Sequence, residues 1–114
     1  MKLKSKNPPR EFKVGLESSI VVKDCGEVAL EADEQLTFVT PSNKNYDVVA
    51  KSWGFYATPS LNGRLKNEAF RSALEKNELG RYYIMLVEKE REGEFARYLA
   101  EEKNEVVQWL DVLH

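Results

Sequence analysis

The sequence predicts an α+β domain: a mainly antiparallel β meander or small curled sheet, then a hairpin, one amphipathic helix and a C-terminal strand. Three observations carry that expectation. Short runs with a two-residue apolar period recur between Phe12 and Ala57, separated by turn-forming residues. Tyr82 to Val87 is the most apolar run in the chain. Phe95, Tyr98 and Leu99 then fall at i, i+3 and i+4, the spacing of one helix face.

The first elements follow from alternation and breaks. Met1 to Arg10 carries Lys2, Lys4, Lys6 and Arg10 with few apolar residues, and Pro8-Pro9 favours an extended, unpaired backbone. It is expected to be a flexible basic arm, with residues 11–114 forming the domain. Phe12, Val14 and Leu16 alternate, and Ile20, Val21 and Val22 are β-branched. Asp24-Cys25-Gly26 reads as a turn or bulge. Leu36, Phe38 and Thr40 alternate into the loop Pro41 to Asn45, and Tyr46, Val48 and Ala50 read as the hairpin partner.

The second half begins ambiguously. Leu65, Ala69, Phe70, Ala73 and Leu74 fit helical spacing, whereas Phe70, Ser72 and Leu74 fit a strand. The strand is favoured for residues 69–76, because Lys76 to Gly80 then makes a hairpin loop before Tyr82–Val87. That apolar run reads as a central strand covered on both faces. A helix over Gly93–Lys103 ends near Asn104, and Val106 to Leu110 is the last strand. The helix is long enough for a crossover that would set the two flanking strands parallel.

Composition bounds the function. A chain of 114 residues with 42% hydrophobic content fits one globular domain with its own core. The net charge of −2 argues against nucleic acid as a partner, despite the basic start. No apolar run reaches the length of a membrane span, and no apolar segment follows the basic residues as in a signal peptide. With a single cysteine, the expected setting is cytoplasmic.

Catalytic groups are scarce. The one histidine is His114, at the chain end, and Cys25 lies between Asp24 and Glu27, whose charges disfavour a thiolate. One cysteine and one histidine cannot build a zinc site, and no glycine-rich phosphate loop is present, so no metal or cofactor is expected. What stands out is the stretch Lys51 to Arg64. Its strand pattern is broken at Gly54, Pro59 ends sheet pairing, and Asn62-Gly63 makes a turn before Arg64. Trp53, Tyr56, Asn62, Arg64 and, further on, Arg71 are side chains typical of interface hot spots and of sugar or anion sites. The bland alternative makes Trp53 and Phe55 core and the loop a plain connection.

Two functional readings follow. The first is a non-catalytic cytoplasmic binding or accessory module that recognises a small polar ligand or a partner protein through residues 51–64. The second is a small enzyme acting on a sugar or phosphorylated metabolite, with Arg64 and Arg71 clamping an anion and a carboxylate as base. A monomer or weak dimer is expected in either case.

Overall fold

The computed structural model describes residues 1–112, so His114 lies outside the described residues. Its strands are all antiparallel and form three open sheets. The fold is α+β, as the periodicities predict.

β1 (Lys2–Val14) and β2 (Ile20–Ala29) form a two-stranded ribbon. Residues 2–10 are therefore not an arm. Their lysines and prolines lack an apolar face, but the backbone still pairs, as in Lys2↔Ala29 and Lys4↔Glu27. The register shifts between Ser5 and Arg10, where Pro8 and Pro9 have no amide to donate. Asp24 spans this gap, accepting from Lys6 at 2.6 Å and Arg10 at 3.4 Å. Gly26, at φ +143°, fits a strained point of the ribbon where any Cβ would strike the Lys4 carbonyl.

β3 (Gln35–Val39), β4 (Asn45–Lys51) and β5 (Gly54–Ala57) form the second sheet in that order. The expected hairpin around Pro41–Asn45 is present, with Phe38 opposite Tyr46 and Leu36 opposite Val48.

Residues 64–76 resolve the helix-or-strand ambiguity by being both. A short helix α1 (Arg64–Glu68) runs directly into strand β6 (Phe70–Lys76). β7 (Tyr82–Glu88), helix α2 (Glu92–Glu102) and β8 (Glu105–Trp109) complete the third sheet, in the order β7-β6-β8. One expectation fails here, the central place of Tyr82–Val87, and one holds, the parallel direction of the strands that flank α2. β7 is an edge strand, with Tyr82 60% and Ile84 59% exposed, and β6 is the central one. β8 runs in the same direction as β7 but pairs with β6, so α2 carries the chain across the middle strand. An apolar run reports that a strand needs cover, not which strand supplies it.

α2 lies on one face of this sheet. Phe95 meets Trp109 edge to face at 6.1 Å, and the left-handed Lys103 at the helix end lets the Asn104 amide donate to the Leu99 carbonyl. The apolar core is small. Leu65, Phe70, Ala73, Val87 and Ala50 are buried, and Tyr46 packs edge-on against Phe70 at 6.4 Å, joining the second and third sheets.

Candidate functional site

The stretch 51–64 is a hairpin tip followed by a loop and the start of α1. Ser52 and Trp53 form the two-residue turn between β4 and β5, and Gly54 at φ +144° supplies the backbone that a side chain rarely adopts. Trp53 therefore sits in the turn and not in the core: it is 69% exposed, Phe55 64% and Tyr56 45%. The Trp53 and Tyr56 rings stack at 6.3 Å. Pairing fixes the faces. Tyr56 lies opposite Val49, so with Asp47 it occupies one face of the sheet, whereas Phe55, opposite Ala50, occupies the other.

Arg64 reaches that first face by donating from Nη2 to Asp47 Oδ2 at 3.2 Å. The Thr37 hydroxyl also donates to Asp47 at 2.6 Å, and together the hydroxyl and the guanidinium hold this carboxyl below its ordinary range. Lys51 binds Asp33, which pushes its ammonium pKa up. Asn62 is exposed in the turn before α1. Trp53, Tyr56 and Arg64 thus share one face, on a surface and not in a pocket.

Arg71 stands elsewhere. It projects from β6 beneath α2, with Nε and Nη2 donating to the two oxygens of Asp111 at 2.9 and 3.3 Å and Nη1 to Glu92 at 2.9 Å. Its guanidinium also lies 3.9 Å from the Trp109 ring centre. Asp111 is buried, and the paired guanidinium holds its carboxyl below the usual range. Both arginines that could clamp an anion already hold carboxylates.

A cavity of about 590 Å³ lies between the β1–β2 turn, one face of the third sheet and the C-terminal half of α2. Glu75 lines it from β6, fully buried. Asn104 donates to Glu75 Oε1 at 3.3 Å, and Oε2 has no hydrogen-bonding partner among the described residues. Burial pushes the Glu75 carboxyl up, only partly offset by Asn104. Tyr98 is pushed up as well, by burial and then by the charges of Glu75 and Glu102. The ribbon is clasped over this cavity by the Leu16 amide, which donates to Glu102 Oε1 at 2.6 Å. Gly15 at φ +94° passes so close that a Cβ there would lie 2.6 Å from the same oxygen. The available signal was a glutamate at an inward-facing position of β6, two residues after Ala73.

No group of three or more histidine, cysteine, aspartate or glutamate side chains among the described residues is placed to hold a metal ion. No described helix is long and apolar enough to cross a membrane. Comparison with protein-family models, curated proteins and solved structures finds no match.

Proposed function

We propose that the protein is a non-catalytic cytoplasmic binding module that docks onto a partner protein through the β4–β5 hairpin tip. The observation that carries this reading is the exposure of Trp53, Phe55 and Tyr56 on the two faces of one short edge ribbon. Isolated exposed apolar residues need no explanation, but tryptophan and tyrosine clustered on a rigid turn are the usual anchors of interfaces. The ion pairs Lys51–Asp33 and Arg64–Asp47 beside them would form a polar rim without leaving a free charge to desolvate.

The chain is also less compact than a monomer of its mass, with the β1–β2 ribbon paired only with itself. The chain exposes 8283 Å², where a compact monomer of 13.1 kDa exposes about 6,400 Å². The radius of gyration, 15.7 Å, is likewise above the roughly 13 Å of a compact domain of this length. An anion-clamping enzyme would need Arg64 and Arg71 unpaired and converging, and each is engaged with a different carboxylate.

The test is a photo-reactive amino acid at position 55 in the native cell, with the adduct identified and the complex rebuilt from purified proteins. Trp53→Ala should then weaken the rebuilt complex by roughly thirtyfold or more, the loss of about 2 kcal/mol that marks a hot spot. An adduct formed only with a second copy of the chain, or a complex indifferent to Trp53→Ala, would overturn the proposal.

A further inference from the structure

The cavity beneath α2 is separate from the hairpin tip and has the features of a small-molecule site. Its volume of about 590 Å³ falls within the roughly 300–1,000 Å³ typical of ligand pockets. Leu16, Ile20, Leu79 and Met85 line it with apolar surface, and Tyr83 and Tyr98 add two aromatic side chains. Its charged lining is of one sign: Glu75, Glu78 and Glu102 contribute, and no lysine or arginine does among the described residues.

Glu75 is what distinguishes this cavity from an acidic cleft. It is fully buried, and Oε2 has no donor. Buried polar atoms are nearly always hydrogen-bonded, and a buried carboxylate oxygen without a donor is costly. The neighbouring groups do not supply one. Asn104 donates to Oε1, and the Glu102 carboxylate, which accepts from the Leu16 amide, has no proton to give. A ligand bringing a positively charged donor would satisfy Oε2 and balance the carboxylates once the buried Glu75 carboxyl turned toward the cavity, while its apolar portion displaced water from the aliphatic wall.

We propose that this cavity binds a small organic cation, a primary amine carried on an apolar or aromatic body, with its ammonium group on Glu75. The aromatic rings of Tyr83 and Tyr98 suit such a cation, because ring faces attract positive charge. The site does not depend on the hairpin, so either proposal can fail alone.

The test is a titration of isotopically labelled protein with three matched probes: 2-phenylethylammonium, 2-phenylethanol and 3-phenylpropionate. Amide shifts are followed at Leu16, Leu79 and Asn104, and at Trp53 as a distant control. The ammonium should give saturable shifts at the first three positions and none at Trp53, with the alcohol and the carboxylate much weaker. Glu75→Gln, which keeps the shape and removes the charge, should bind the ammonium roughly tenfold or more weakly, as expected for loss of a charge-assisted hydrogen bond. Equal responses to ammonium and carboxylate, an alcohol that binds as well as the amine, no saturable shift at the cavity, or undiminished binding in Glu75→Gln would each overturn it. The comparison of the three probes on the unaltered protein stands even if the variant does not fold.

Discussion

Arg71→Ala should be among the most damaging single substitutions in this chain, although arginine is usually a surface residue. Two of its nitrogens hold both oxygens of Asp111, a third holds Glu92, and the plane lies against Trp109. Truncation leaves Asp111, whose side chain is 0% exposed, as a buried carboxylate without its cation. Removing one member of a buried pair costs about 3–5 kcal/mol, because the remaining charge stays desolvated. A domain of 114 residues has about 6–17 kcal/mol of total stability, so the loss is a large share of it. In temperature, at about 4 °C per kcal/mol, the midpoint should fall by roughly 12–20 °C. Urea unfolding followed by tryptophan fluorescence is a suitable assay, since Trp109 sits beside the substitution. Adding Asp111→Asn should restore about 1–3 kcal/mol by removing the stranded charge. A loss below about 1 kcal/mol in the single variant would refute this account of a structural Arg71 and return the residue to the list of binding candidates.

Three further outcomes are expected. Leu65→Ala, at the buried residue of α1, should cost about 2–5 kcal/mol in the same unfolding assay, and a loss under about 1 kcal/mol would show that the site collapses freely. Trp53→Ala and Arg64→Ala should each change stability by no more than about 0.5 to 1 kcal/mol, because one side chain is exposed and the other makes a surface ion pair; a melting temperature that collapses in either would place it in the scaffold. Glu75 has a pKa raised on folding, so its contribution to stability is fully present below its ordinary value of 4.5 and is lost as pH rises through the higher folded value. Urea midpoints measured across pH should show Glu75→Gln without that loss and more stable than the unaltered protein at neutral pH, whereas identical pH profiles would contradict the burial argument.

Local chemistry is legible where an element's signal is contained within the element. The β3–β4 hairpin follows from alternation on either side of Pro41–Asn45, and α2 from the spacing of Phe95, Tyr98 and Leu99. What local pattern does not convey depends on partners distant in sequence. Lys2–Arg10 looks like an arm because its own side chains give it no face, but its ladder is supplied by β2. Tyr82–Val87 looks central because it is apolar, yet the strand order is set by β8 pairing with β6 after α2. Arg71 resembles a recognition residue until Asp111, forty positions on, is seen to hold it. Glu75 is marked only by its two-residue spacing from Ala73 on β6, and a single glutamate says nothing of whether its strand turns it toward water.

The β1–β2 ribbon pairs only with itself and is tied to the remainder at a few points, among them the Leu16–Glu102 contact and the Met1 amino group on Glu34. An isolated two-stranded hairpin is only marginally stable in water. Opening of the ribbon is therefore separable from unfolding of the third sheet, whose central β6 is bonded along both edges. Both tryptophans lie outside the ribbon, so fluorescence is blind to its opening. Amide exchange would register two protection levels, with Val21 and Val22 exchanging through a low-energy excursion and Ala73 and Leu74 only when the whole body opens. The cavity under α2 loses one wall in that first excursion, which gives anything bound there a second route of escape besides the cavity's open mouth.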